Sequence, residues 1–419
     1  MIRKVCFIVT GIVLYSSFLR GTNVIQEIMS LEYGDIVTKV EYLGEYGRAD
    51  AVQFLGLAVK DSPNNIKTST GFVLFRFSYL TQTYGNLTVE ASGLIGVPKK
   101  GRIKGLLSWQ HGTNTYRPAS ISMPSPGEGI GINALFASNG FIVVAADYVG
   151  LGISEDIHPY YHWASTIPAI IDLIKIGGII LDYKTGGSNR GLFLAGFSQG
   201  AGASVATHRE LERSQATNFL LKGTAAIAGA YDLDGVSFPY GVRNSSSEEG
   251  NVVVNERGEA FGKGRIRSII YMGYAANAYA HIYDQPISSM IRAPYDRRVR
   301  GWFDGTKDQR FYEQNLPRTA QELLQVSFLA ALETGDTTHW AIQAMRENET
   351  YKWVPVQKLR FYFGAADLDV SPQDSKRAFH YMKKRGGNVE LFNLGKYKHD
   401  EVILQALPLI QKWFDELSQ

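Results

Sequence analysis

The five residues 196–200 contain the side chain best suited to covalent chemistry. Ser198 stands at the centre of a Gly-x-Ser-x-Gly pattern, between an apolar run at 191–195 and an Ala/Gly-rich stretch at 201–206. A sharp strand-to-helix turn exposes a serine hydroxyl at the end of a sheet, and the flanking glycines leave room for its strained backbone. The pattern predicts that Ser198 is a nucleophile for acyl transfer; the alternative is an ordinary strand-to-helix turn.

A nucleophile of this kind needs a carboxylate later in the chain. Residues 356–363 resemble a strand, and Asp367 and Asp369 lie in the loop after it. We favour Asp367 as the acid that orients an imidazole, and interpret Asp369 as a turn or helix-cap residue. Asp232, which follows a predicted strand at 222–230, is a third candidate because the acid can lie one strand earlier.

The general base should come last in the chain. Residues 388–394 are predicted to form a strand, and His399 lies in the loop after them, from which an imidazole can reach the serine. The other histidines fit less well, because they lie in predicted helices, in the central part of the chain or before the serine: His208, His380, His281, His339, His111, His158 and His162.

Acyl transfer also needs hydrogen-bond donors for the oxyanion that develops on the carbonyl. One N–H should come from Gln199, the residue after the nucleophile. The second should come from the loop after an early strand, here 103–110. We assign it to Thr113, with Gly112 as the next candidate; a tight turn without a catalytic role is the alternative.

Several segments together resemble α/β-hydrolases of the secretory lipase and esterase branch, over roughly residues 70–417. The resemblance implies a Ser198–Asp367–His399 triad that hydrolyses carboxylic esters without a cofactor or metal. One departure is Asp400, which stands where small residues are frequent and could alter the local charge. The matching segments are 91–98, 111–113, 145–152, 158–160, 196–200, 229–233, 348–355 and 364–372.

The predicted elements alternate in a way typical of an α/β fold with a mostly parallel central sheet flanked by helices. Two early strands precede the βα alternation, and a ligand should bind beyond the carboxyl ends of the strands. The predicted strands are 70–83, 87–98, 103–110, 141–147, 191–196, 222–230, 356–363 and 388–394, and the predicted helices are 161–179, 199–214, 372–385 and 400–417.

A long insertion separates the predicted strands 222–230 and 356–363, far longer than a crossover helix requires. Residues 234–345 are therefore expected to form a mainly helical cap over the serine, with helix-like stretches at 265–275 and 322–332. Its aromatic side chains could line a pocket for the acyl or alcohol group, and we select Tyr274 and Trp302; packing inside the cap is the alternative.

The N-terminus has the layout of a signal peptide. A basic start with Arg3 and Lys4 precedes a short apolar run that ends near residue 19. Residues 1–20 are predicted to direct export, to the medium, the periplasm or the cell envelope; an uncleaved anchor, which would be the protein's contact with a membrane, is the alternative. The hydrolase domain would then span 21–419.

Composition narrows the classes of function. Three of the 43 basic residues and none of the 40 acidic ones lie in 1–20, so the net charge falls from +3 to zero without that segment. A neutral chain has no electrostatic footprint for nucleic acid. Cys6 is the one cysteine, so a disulfide, a thiolate metal site and a cysteine nucleophile are excluded from the mature chain.

The favoured interpretation is an exported serine esterase or lipase that acts on small-molecule or lipid esters. A serine peptidase of the prolyl-oligopeptidase type uses the same core and triad, although this chain has no propeller-sized N-terminal region. A catalytically silent surface-binding protein that retains the fold is the third alternative, which the intact triad and oxyanion loops disfavour.

Overall fold

The structure, a computed structural model, describes residues 24–58, 66–123, 127–214, 217–245, 253–254, 260–261 and 266–419. The predicted signal peptide 1–20, including Cys6, lies outside the described residues. So does Arg265, the first residue of a stretch predicted to be helical.

A nine-stranded sheet forms the centre of the fold, with the strand order β1-β2-β3-β5-β4-β6-β7-β10-β11, and β8 and β9 form a separate pair. The strands are β1 (Val37–Tyr46), β2 (Phe72–Gln82), β3 (Thr88–Pro98), β4 (Gly105–Gln110), β5 (Phe141–Ala146), β6 (Gly191–Phe197), β7 (Leu220–Ile227), β8 (Val253–Val254), β9 (Ala260–Phe261), β10 (Leu359–Phe363) and β11 (Val389–Asn393).

The sheet is antiparallel at one side and parallel across the rest. Strands β1, β2, β3 and β5 pair antiparallel, whereas each pair from β5 to β11 is parallel. Strands β4 and β5 are buried at every residue, as parallel strands covered on both faces must be. The carboxyl ends of the parallel strands therefore meet at one edge.

Helices cover both faces of this sheet and also form the region between β7 and β10. The helices are α1 (Val24–Ser30), α2 (Arg48–Ala58), α3 (Glu128–Phe136), α4 (Trp163–Thr185), α5 (Gln199–Ser214), α6 (Phe238–Ser245), α7 (Ile266–Ile282), α8 (Tyr295–Trp302), α9 (Gln309–Asn315), α10 (Ala320–Leu323), α11 (Val326–Thr334), α12 (Trp340–Glu347), α13 (Pro372–Lys384) and α14 (His399–Leu417).

Alternate side chains of β5 enter two separate cores. Ile142 and Val144 pack in the core that contains α4, whereas Val143 packs in the core that contains Phe414 of α14. Helix α4 is long and apolar enough to cross a membrane, but 72% of its most apolar window is buried inside the protein. Its apolar composition is explained by its place against the sheet, beside α5.

The predicted α/β architecture with a mostly parallel sheet is confirmed, and the structure adds elements that the sequence did not reveal. Strand β1 extends the antiparallel side; it is an edge strand whose residues are half-buried or exposed, so it lacks an apolar signal. The stretch 322–332, predicted as helical, is interrupted at Leu324, which is extended and bridges to Ile291.

Candidate active site

Ser198 lies at the turn between β6 and α5, at the carboxyl edge of the sheet. Its φ angle is 58°, in the left-handed region that non-glycine residues rarely adopt. A Cβ atom at Gly196 would lie 2.3 Å from the carbonyl oxygen of Gly200, and one at Gly200 would lie 2.0 Å from that of Gln110. The two glycines are therefore required sterically, because they let the chain turn tightly enough to present the hydroxyl.

The hydroxyl, an imidazole and a carboxylate form a hydrogen-bonded line. His399 Nε2 lies 2.9 Å from Ser198 Oγ, and His399 Nδ1 lies 2.7 Å from Asp367 Oδ2. The other carboxylate oxygen of Asp367 accepts hydrogen bonds from the backbone N–H groups of Asp369 and Val370 at 2.9 and 3.0 Å. The carboxylate is thereby fixed in the orientation that holds the Nδ1–H tautomer of His399.

Opposing effects act on the basicity of His399. Burial lowers the pKa of the imidazole, whereas the carboxylates of Asp367, Asp369 and Asp400 raise it, and the net result is a raised pKa. A raised pKa means that the imidazolium is stabilised by its surroundings. This environment suits a group that takes a proton from a serine during reaction.

Of the three candidate acids, the structure brings Asp367 to His399. Asp232 instead accepts a hydrogen bond from the N–H of Gly235 and forms an ion pair of 2.6 Å with Arg377. Of the two roles expected for Asp369, a turn residue or a helix cap, the first agrees with its place in the bend between β10 and α13. Ser371 is the N-cap residue of α13, and Asp369 forms an ion pair with Arg267.

The loop after β4 lies against Ser198. A Cβ atom added to Gly112 would lie 3.6 Å from Ser198 Cβ, an ordinary van der Waals distance, so the loop and the serine are direct neighbours. The hydroxyl of Thr113 lies 2.8 Å from that of Tyr160, which holds the loop from the side. Gln199 is the first residue of α5, and its N–H has no intrahelical acceptor because of its position.

His158 supports the first turn of α5, a role that sequence reasoning missed. Its Nδ1 lies 2.8 Å from the carbonyl oxygen of Val149 and its Nε2 lies 2.8 Å from Gln199 Nε2. Because the carbonyl only accepts, Nδ1 carries the proton and Nε2 accepts from the amide of Gln199. Burial lowers the pKa of His158 to about 3, which keeps the ring neutral.

Asp147, directly after β5, contacts the loop that follows β4. This buried carboxylate accepts from the Ser122 N–H at 2.9 Å and from the hydroxyls of Ser122 and Ser92. The backbone carbonyl of Asp147 lies 3.1 Å from His111 Nε2. The segment after β5 thus anchors the loop that follows β4.

A column of four stacked rings connects this loop to the cap. Tyr160 stacks on Tyr274 with ring centroids 4.5 Å apart, Tyr274 on Phe303 at 4.9 Å, and Phe303 on Tyr312 at 4.5 Å. The hydroxyl of Tyr274 also donates to the carbonyl oxygen of Asn114 at 3.2 Å. The column therefore extends from the cap to Tyr160, whose hydroxyl contacts Thr113.

A cavity of about 540 Å³ opens beside Ser198 and His399. The cap contributes Arg267, Ile270, Tyr271, Asp308 and Gln309 to its wall. A smaller cavity of about 50 Å³ shares Tyr271 with the first and is lined largely by apolar side chains.

Tyr274 and Trp302, selected from the sequence as pocket residues, are not among the residues that line either cavity. Tyr274 is 1% exposed because it belongs to the ring column. Trp302 packs edge-on against Phe311, with ring centroids 5.4 Å apart. The alternative weighed for these aromatics, packing inside the cap, describes their contacts.

Asp232, Asp234 and Glu349 form a buried cluster in which one carboxylate oxygen of each residue lies within 4.8 Å of the others, close enough together to hold a cation. Burial raises the pKa of Glu349 to about 7. Each carboxylate already faces a basic side chain, namely Arg377 at 2.6 Å, Arg346 at 2.9 Å and Lys352 at 2.5 Å respectively. These ion pairs explain the cluster as a structural network between the cap and the core.

Comparison with known proteins identifies the fold. No family model matches the chain, and no curated protein matches it. Among solved structures, the rice cell wall degrading esterase LipA from Xanthomonas oryzae is similar at 22% identity, with 92% of this chain and 99% of that protein covered and a TM-score of 0.76. Candida antarctica lipase A is similar at 15% identity, with 93% and 84% covered and a TM-score of 0.61. The chain has the α/β-hydrolase fold of these enzymes.

Proposed function

We propose that the protein is a serine hydrolase that cleaves carboxylic esters through an acyl-enzyme on Ser198. The observation that supports this most directly is the line of hydrogen bonds from Ser198 through His399 to Asp367, at the wall of an open cavity. The esterase and lipase with the same fold add support at the level of reaction type.

The first half of the reaction transfers the acyl group to the enzyme. Ser198 Oγ attacks the ester carbonyl carbon while its proton passes to His399 Nε2, and the imidazolium is stabilised by Asp367. The carbonyl oxygen becomes an oxyanion, for which the N–H groups of Gln199 and Thr113 are the proposed donors, with Gly112 as the next candidate. His399 then gives the proton to the departing alkoxide, which leaves as the alcohol.

The second half repeats these steps with water. His399 takes a proton from the water, the hydroxide attacks the acyl carbon, and the acid leaves as Ser198 Oγ regains its proton from His399. Side chains and backbone amides supply every group in this scheme, so we propose that it needs no cofactor. The N-terminus of α5 also favours negative charge beside Ser198.

The cap is proposed to select substrates while the sheet edge carries the chemistry. Five cap residues lie in the wall of the cavity beside Ser198, namely Arg267, Ile270, Tyr271, Asp308 and Gln309. Their position beside Ser198 and His399 places them where an acyl or alcohol group would extend from the reacting carbon. Export of the chain through the segment 1–20 stays part of this proposal.

A substrate panel tests the proposal. We expect the protein without residues 1–20 to hydrolyse p-nitrophenyl esters of several acyl lengths, and a fluorophosphonate probe to label Ser198. Proline-directed peptide amides, run beside the esters, are the control. Faster cleavage of the amides than of the esters would favour a serine peptidase over an esterase. Labelling of Ser198 without turnover of esters or amides would favour a catalytically silent binding protein.

A further inference from the structure

One arginine of the cap contacts the loop that carries the proposed catalytic acid and the first turn of the helix that carries the proposed base. The guanidinium of Arg267 lies 3.0 Å from Asp369 Oδ2 and 2.8 Å from Asp400 Oδ2. Asp369 lies two residues after Asp367 and donates its backbone N–H to that carboxylate, while Asp400 directly follows His399. The arginine therefore bridges three segments that are distant in the sequence.

The place of Arg267 in the first turn of α7 would be electrostatically unfavourable without the carboxylates of Asp369 and Asp400. It is the second residue of α7, and the N-terminal turn of a helix repels positive charge. The two carboxylates offset that repulsion. The contact with Asp369 is the better shielded of the two, since the Asp369 side chain is 10% exposed and that of Asp400 is 65% exposed. Screening by solvent weakens the second contact more than the first.

We infer that Arg267 is a positioning residue that couples the cap to the triad. Its guanidinium holds the loop of Asp367 and the first turn of α14 at a common point and balances the two extra carboxylates beside His399. The inference rests on the proposed function, and it explains the unusual Asp400 as a partner of the cap.

The groups around His399 make this coupling measurable. The carboxylates facing the imidazole are Asp367 and Asp369 from the acid loop and Asp400 from its own helix, and Arg267 faces the latter two from the cap. The hydroxyl of Tyr271 lies close enough to Arg267 and Asp369 to feel both charges. Removing the Arg267 guanidinium takes a positive charge away from the two carboxylates that it contacts near the imidazole, which stabilises the imidazolium further.

The test is the replacement Arg267→Met, with Arg267→Lys as the conservative variant and Arg300→Met, at an exposed position of α8, as the matched control. We expect Arg267→Met to raise the pKa of His399 by about half a pH unit or more. Since only the neutral imidazole accepts the serine proton, kcat for an acetyl ester should fall further at pH 6 than at pH 8. Arg267→Lys should recover part of the loss, and Arg300→Met should match the wild type.

Asp400→Asn provides the opposite change at an exposed site and should lower the pKa of His399. NMR titration of protein labelled with ¹⁵N-histidine measures that pKa without substrate, so it decides the inference even if the protein hydrolyses no ester. A wild-type His399 pKa in folded Arg267→Met would overturn the inference. If Arg267→Met does not fold, an unchanged pKa in Asp400→Asn would overturn it equally.

Discussion

The carboxyl edge of the sheet and the cap are built in different ways. At the edge, Ser198 directly follows β6, Asp367 follows β10 by a few residues and His399 follows β11. Each side chain is placed by the strand before it, so short local segments determine the chemistry. In the cap, the helices from α6 to α12 pack against the core in a shared hydrophobic cluster and also contact it through polar groups such as those of Arg267 and Tyr274. The shape of the cavity therefore depends on contacts between distant parts of the chain.

The largest effect should follow from removing the nucleophile at the sheet edge. Ser198→Ala is expected to reduce kcat for every ester by roughly 10⁴–10⁶-fold, because no acyl-enzyme can form. Thermal unfolding monitored by circular dichroism should stay close to that of the wild type, since the change removes a single hydroxyl. Near-normal turnover and fluorophosphonate labelling in this variant would show that another residue is the nucleophile.

The next largest effect should distinguish the role of Asp367 from that of Asp369 in the same loop. Asp367→Asn should lower kcat by roughly 10³–10⁴-fold, because an amide no longer holds the correct tautomer of His399. Asp369→Asn is the matched variant, and its steady-state loss should stay below about tenfold, since Asp369 acts through Arg267. Larger losses at Asp369 than at Asp367 would exchange the two roles.

The smallest effect should come from the cap and should appear in selectivity. Tyr271 separates the cavity at Ser198 from the smaller apolar cavity. Tyr271→Ala should join the two and shift relative kcat/KM towards longer acyl chains by roughly 10–200-fold, the range expected for a change in pocket size. Acetyl ester turnover should persist, and Tyr271→Phe should keep the wild-type preference.

A different outcome at Tyr271 would break the division between edge and cap. If Tyr271→Ala stayed folded and yet lost acetyl ester turnover, the cap would have to contribute a catalytic group. His281 and His339, the two histidines of the cap, would then be examined as bases. A p-nitrophenyl ester series with acetyl, butyryl and octanoyl groups distinguishes these results.

The sequence predicted the parallel part of the sheet because its signals are local. Apolar runs mark strands that are buried on both faces, and the residues that follow them reach the common carboxyl edge. The proposed roles of Ser198, Asp367 and His399 rest on that arrangement, and the structure places the three side chains in hydrogen-bond contact. Strand β1 was missed because an edge strand carries little apolar pattern.

The contacts that support the site could not be predicted in the same way. His158 precedes the serine in the chain and was set aside as a base; its contact with Gln199 depends on the fold bringing residues 41 positions apart together. Tyr274 was selected for its aromatic type, but sequence does not reveal which face of α7 meets the cavity and which meets the ring column. Asp369 likewise finds its partner on a helix about a hundred residues away.

The ring column has a consequence for which parts of this protein can be exchanged. Its four aromatic residues come from the core at Tyr160 and from three cap positions at Tyr274, Phe303 and Tyr312. A chimera that exchanged the cap alone would leave Tyr160 without its stacking partner and loosen the support of Thr113. We expect a cap from another protein to support the loop of Thr113 only when it supplies aromatic side chains that stack on Tyr160. The insertion and the core should therefore be exchanged together.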